Sequence, residues 1–194
     1  LHYSNIYSNM IISLIGFMGA GKSTIGKQLA QSIKCPFIDL DAYIEEKEGK
    51  TISEIFGEKG EGGFRELELN YLEDVLEDHI AEHPETLEDL PPFSPEATED
   101  DAPVATRNCT MVLSLGGGIV TNPECADLIS RFTYCMYIHT DIEVIKQRLS
   151  QQSEAAGRPM LGGEKGEALL ARIEKLYKER TPLYTRLARK TYFL

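Results

Sequence analysis

Apolar residues gather in four short runs along the chain, at 10–15 (MIISLI), 37–40 (FIDL), 111–115 (MVLSL) and 134–138 (YCMYI). Each is short and nearly continuous, which predicts strands buried on both faces. Between them, apolar positions recur at three- and four-residue spacing over 22–33, 43–48, 52–57, 61–81, 123–131, 141–151 and 165–188. That is the period of helices with one apolar face. The 61–81 stretch carries Phe64, Leu67, Leu69, Tyr71, Leu72, Val75 and Leu76, a stripe several turns long. Strands alternating with helices predict an α/β fold, a parallel sheet covered on both faces. The final TYFL at 191–194 reads as the start of a fifth strand.

One stretch breaks the alternation. Residues 82–108 hold eight carboxylates against the single Arg107, and Pro84, Pro91, Pro92, Pro95 and Pro103 fall within 83–108. Prolines interrupt helices and central strands, and repelling carboxylates resist collapse. The expectation for 83–108 is a mobile acidic insertion on the surface of a single domain spanning 1–194.

Composition narrows the class. A net charge of −11 argues against nucleic acid as a partner. No apolar run reaches the roughly 18–20 residues that a membrane helix needs. Residues 1–9 have neither a basic start nor a long apolar stretch, so they read as an N-terminal extension rather than a leader, and the expected address is cytoplasmic. Cys35, Cys109, Cys125 and Cys135 lack Cys-x-x-Cys spacing and do not cluster with the histidines. Free thiols are expected, not a zinc site.

The chemistry begins at 16–24, GFMGAGKST, which satisfies G-x-x-x-x-G-K-[ST] between an expected strand and an expected helix. Gly16, Gly19 and Gly21 let successive N–H groups turn toward phosphate oxygens at a helix N-terminus. Lys22 would reach the β- and γ-phosphates, and the Ser23 hydroxyl would ligate Mg²⁺. The next strand ends in Asp39 and Asp41, two residues apart, which on a strand face the same side. Taken alone, such a pair at a strand end is often a helix cap. Beside the phosphate loop, one carboxylate can steady the Mg²⁺ shell while the other accepts a proton from a hydroxyl nucleophile. The stretch FGEKGEGGFRELE at 56–68 places Arg65 and Glu68 at i, i+3, an ordinary salt-bridge spacing if it stood alone. Gly116, Gly117 and Gly118 follow the third strand without a closing aspartate, which shifts metal duty toward Asp39. Small and polar residues around Arg158 at 152–165 read as a lid over phosphates. Arg180 precedes an expected proline-bearing turn at Pro182.

With these in order, the chain resembles the shikimate kinases of the P-loop, nucleoside-monophosphate-kinase-like superfamily. The shared motifs are GFMGAGKST, D-L-D, FGEKGEGGFRELE, LSLGGG, R-P-M-L and R-T-P-L-Y. The resemblance covers about 11 to 194 apart from the acidic insertion. It implies a three-layer P-loop fold, with a central parallel sheet of about five strands between helices and a mobile lid. It also implies transfer of the ATP γ-phosphate to the 3-hydroxyl of shikimate in aromatic amino acid biosynthesis, with one Mg²⁺ per site.

By that resemblance Arg65 and Arg180 grip the substrate carboxylate, with Glu68 steadying Arg65. Asp41 binds substrate hydroxyls and acts as base, and Gly117 and Gly118 touch the substrate. Asp39 stands near the Mg²⁺ with Ser23. ATP contacts fall to Gly19, Ala20, Gly21, Lys22, Ser23 and Thr24, with Arg148 beside adenine. Lys22, Asp41 and the lid residue Arg158 form the catalytic set. Residues 42–70 form the substrate-binding segment, and the enzyme acts as a monomer on shikimate and ATP. Two departures from the family pattern are the insertion and R-P-M-L in place of R-P-L-L. A kinase of another small acid such as gluconate, and a nucleotide-binding module without catalysis, share the P-loop. F-R-x-x-E, the triple glycine and Arg180 argue against the first, and the intact lysine, aspartate and arginines against the second.

Overall fold

The computed structural model describes residues 10–84, 109–151, 159–161 and 163–194. Five strands form one parallel sheet: β1 (Met10–Ile15), β2 (Phe37–Asp39), β3 (Cys109–Ser114), β4 (Thr133–His139) and β5 (Lys190–Phe193), in the order β2-β3-β1-β4-β5. The helices are α1 (Lys22–Ile33), α2 (Leu40–Glu48), α3 (Ile52–Glu82), α4 (Pro123–Phe132), α5 (Ile142–Gln151) and α6 (Gly166–Leu187). The expected three-layer α/β architecture is the one observed. Most of the expected 83–108 insertion and of the 152–165 lid, and all of 1–9, lie outside the described residues.

Strand alternation sorts the core. Ile11 and Ile15 of β1 join the cluster built with α3, α4 and α6. Met10, Ile12 and Leu14 join the other cluster, with Ala30, Ile25, Leu29 and Ile33 of α1. Ser13, buried in the central strand, is satisfied by Thr133 across the ladder, Oγ to Oγ1 at 2.6 Å. On that second face Gly26 is where α1 presses closest to the sheet. A Cβ there would run into the Phe37 ring and lie 3.1 Å from Leu14 Cδ1. Gly26→Val is therefore expected to cost about 2 kcal/mol or more of stability through overpacking. A urea midpoint equal to wild type would show that Phe37 yields freely.

One expectation about elements holds and another needs correction. The helices expected at 52–57 and 61–81 are both present within α3, as two helical segments meeting at a kink where Gly60 has non-helical backbone angles (φ 70°, ψ −176°). A glycine takes this left-handed φ without a Cβ penalty, so α3 can bend there between its two segments. Its start is a capping box: Thr51 N donates to Glu54 Oε2 at 2.8 Å, and Glu54 N to Thr51 Oγ1 at 3.3 Å. The turn expected at Pro182 is absent, because α6 runs through it. Pro182 and Lys178, four residues earlier, are both exposed, so water can take the carbonyl that the proline leaves unpaired.

Because β1 lies at the centre, the chain leaves it toward β2 and β3 on one side and later returns to β4 and β5 on the other. A crevice opens at such a reversal, at the carboxyl ends of the strands. Among the described residues, no helix is long and apolar enough to cross a membrane.

Candidate active site

A cavity of about 780 Å³ occupies this crevice. The phosphate-loop sequence after β1 forms one end, with Gly19, Gly21, Ser23 and Thr24 on its wall. Lys22, the first residue of α1, is buried, and its Nζ donates to Gly16 O at 2.9 Å and Phe17 O at 3.1 Å. A cation is thus folded over the loop at a helix N-terminus, where the helix dipole also favours anions.

Ser23 Oγ donates to Asp39 Oδ2 at 2.5 Å. Asp39 ends β2 and caps α2, its Oδ1 accepting from Ala42 N at 3.4 Å. This corrects the expected strand geometry. The cap stops β2 after three residues, so Asp41 belongs to the first turn of α2. Both carboxylates line the cavity, brought there by a helix start rather than by strand alternation. Burial, reinforced by the neighbouring Asp39 charge, pushes the half-buried Asp41 carboxyl up to about 6, while Lys22 and Arg65 pull it the other way.

At the other end stands Arg65 of α3. Its Nη1 pairs with Glu68, and its Nη2 lies 3.3 Å from Glu61 Oε1. Glu68 is 1% exposed, and burial pushes its carboxyl up to about 7 against the pull of Arg65. Among the described residues, Arg65 Nε and Glu68 Oε1 are buried with no hydrogen-bond partner. The helical spacing that reads as a surface pair is here an interior one.

The triple glycine lies between these groups. A Cβ on Gly116 would sit 2.6 Å from Glu68 Oε1 and 2.8 Å from Asp41 Oδ1, and one on Gly118 would collide with the Arg65 guanidinium. The loop is thin so that two acids and an arginine can close on it. Arg180 of α6, 3% exposed, donates from Nη1 to Gly117 O at 3.3 Å. Arg148 of α5 is exposed and donates from Nη1 to Gly19 O at 2.9 Å, beside the phosphate loop. Ala20 is buried, its carbonyl accepting from Thr140 Oγ1 at 3.2 Å. Arg158 lies outside the described residues.

Sequence reasoning passed over several residues in or behind the cavity wall. Tyr184 hydrogen-bonds Gly117 O beside Arg180, one helical turn away. The R-T-P-L-Y spacing could have indicated it. Glu45 Oε1 accepts from Ile52 N at 2.8 Å and joins α2 to α3. Phe56 and Phe64, with ring centroids 4.6 Å apart, wall the Arg65 end.

The family model for shikimate kinase matches residues 18–83 and 102–192. The chain belongs to the shikimate kinase family. The Chloroherpeton thalassium shikimate kinase is 36% identical over 180 residues, covering 90% of this chain and 79% of that protein. The structure of shikimate kinase from Bacteroides thetaiotaomicron superposes with a TM-score of 0.72 at 33% identity, covering 95% of this chain and 86% of that one. The Acinetobacter baumannii shikimate kinase, solved in complex with shikimate, gives 0.71 at 30% identity, covering 94% and 82%. The shikimate kinase match leaves 84–101 unmatched, within the acidic stretch.

Proposed function

We infer that the chain transfers the γ-phosphate of ATP to the 3-hydroxyl of shikimate, giving 3-phosphoshikimate and ADP. The observation that carries this is one cavity with a phosphate loop at one end and two arginines at the other, Arg180 buried and Arg65 half-buried, in a shikimate kinase chain. A substrate with a carboxylate at one end and hydroxyls toward the other fits that polarity. Arg65 and Arg180 take the carboxylate, for which the guanidinium fork is suited. Asp41 orients the hydroxyls and takes the proton as the oxygen attacks. The loop N–H groups of residues 19–24 cradle the phosphates, and Lys22 exchanges its loop carbonyls for phosphate oxygens. Gly117 and Gly118 let the backbone approach the substrate. Arg148 borders the nucleotide, and Arg158 of the lid at 152–165 meets the charge building on the transferred group.

Mg²⁺ fits the hard oxygens of Ser23 and Asp39, which already meet each other beside the phosphate loop. When bound, the ion would neutralise charge on the phosphates. We propose action as a monomer, since the phosphate loop, Asp41, Arg65 and Arg180 line one cavity within a single chain. Use of ATP and free cysteines supports a cytoplasmic setting.

The deciding experiment is ADP release by the purified chain with Mg-ATP, with shikimate, gluconate or neither. Release dependent on shikimate alone is expected. Dependence on gluconate, or on no acid, would remove the assignment. With Asp41 at about 6, kcat/KM is expected to fall about tenfold per pH unit below that value as the base is protonated. A profile flat from pH 7 to pH 5 would exclude Asp41 as the base. We further propose that the acidic stretch is dispensable. Deleting 84–101 is expected to leave kcat within about twofold, because the family match passes over these residues. A tenfold loss would make them part of the machinery.

A further inference from the structure

Cys35 and Cys109 lie at the edge of the sheet away from the cavity. Cys35 ends the turn from α1 into β2, and Cys109 opens β3. Their Sγ atoms are 3.7 Å apart. Neither sulfur rides on a loose loop. Cys35 N donates to Ala30 O at 3.0 Å, Val112 N donates to Pro36 O at 2.9 Å, and β2 pairs with β3 from Phe37–Val112 onward. The backbone that carries the two thiols is therefore held by hydrogen bonds. Both residues are partly exposed, whereas Cys125 and Cys135 are fully buried. A disulfide needs sulfurs at about 2.05 Å, so side-chain rotation must close roughly 1.7 Å. Cys109 would give up its contact to Met111 O at 3.1 Å.

We propose that Cys35 and Cys109 are a reversible disulfide site that locks β2 to β3 when the surrounding thiol pool becomes oxidising. The oxidant is a low-molecular-weight disulfide such as oxidised glutathione. The Cys35 thiolate attacks one of its sulfurs, the S–S bond breaks, and one thiolate leaves. Cys109, deprotonated, then attacks Cys35 Sγ and expels the second. Two protein thiols lose two electrons and two protons, and one disulfide becomes two thiols. Burial holds both thiols above their ordinary range, Cys109 up to about 12, so Cys35 starts the exchange.

The link would enclose α2 and α3 in a covalent loop and restrict the unfolded chain. It lies at the starts of the two strands, whereas Asp39 and the triple glycine follow from their far ends. The expected effect is therefore on stability rather than on turnover.

The test incubates the full chain with oxidised glutathione, alkylates it in denaturant, and reads intact mass and linked peptides. Two of the four thiols are expected to resist alkylation, with a single 35–109 cross-link and no retained glutathione. Tm is expected to rise by about 5–10 °C and return on reduction. Activity is expected to stay within twofold. Cys35→Ser and Cys109→Ser should show neither cross-link nor Tm shift. Four alkylated thiols, a lasting glutathione adduct, or a cross-link through Cys125 or Cys135 would overturn the site. A correct cross-link with unchanged or lower Tm would overturn the lock.

Discussion

Asp41→Asn is expected to lower kcat by about 10²–10⁴-fold while the Kd for ATP stays within about twofold. The substitution keeps shape and one acceptor but removes the charge and the capacity to take a proton. Asp41 lines the cavity without the helix cap and the Ser23 contact that already engage Asp39. A second readout separates the base from a mere anchor. The folded carboxyl titrates at about 6, above its ordinary 3.8. Between these values the native state holds the proton more tightly than the unfolded chain. Stability is therefore lost as pH rises through that window, and the penalty is complete above about 6. Asp41→Asn is thus expected to melt higher than wild type at pH 8 and to lose that advantage near pH 4. Activity down and stability up together mark a group kept for chemistry at a cost to the fold. Wild-type turnover in this variant would falsify its role as base.

The contrast between Asp39 and Asp41 shows what a sequence can carry. The phosphate loop was legible because its function depends on backbone N–H groups and one lysine, all contiguous over 16–24. Strand positions were legible because burial on both faces writes short apolar runs. That Asp39 and Asp41 share one wall of a cavity was legible, but the helix start that brings them there was not the favoured reading. Whether Asp39 continues a strand or caps a helix depends on Ala42 N, an interaction that side-chain patterning does not record. Glu68 was harder still. Its i, i+3 spacing from Arg65 is the same on a wet helix face or a dry one, and only the packing of α3 against the triple glycine makes it interior. Tyr184 depends on Gly117 O, 67 residues away along the chain. The break at Gly60 was legible, since glycines between two helical patterns mark where they part, and φ and ψ then place it at one residue.

Arg65→Ala carries the other large effect, and it divides between binding and folding. Loss of a charged, forked donor to the substrate carboxylate is expected to raise KM for shikimate about 30-fold or more, with a smaller fall in kcat. The same change strands Glu68, 1% exposed, without its guanidinium. Breaking one side of a buried pair costs about 3 kcal/mol or more, so the variant is expected to unfold at lower urea. The two effects come apart in Arg65→Ala with Glu68→Gln. Removing the stranded charge is expected to recover most of the lost stability while KM stays high. Arg65→Lys keeps the charge but not the fork, and is expected to fall between wild type and alanine in KM. An unchanged KM in Arg65→Ala would sink the carboxylate clamp. A KM restored by the double variant would mean that Arg65 served only to neutralise Glu68, leaving Arg180 as the group that takes the substrate carboxylate.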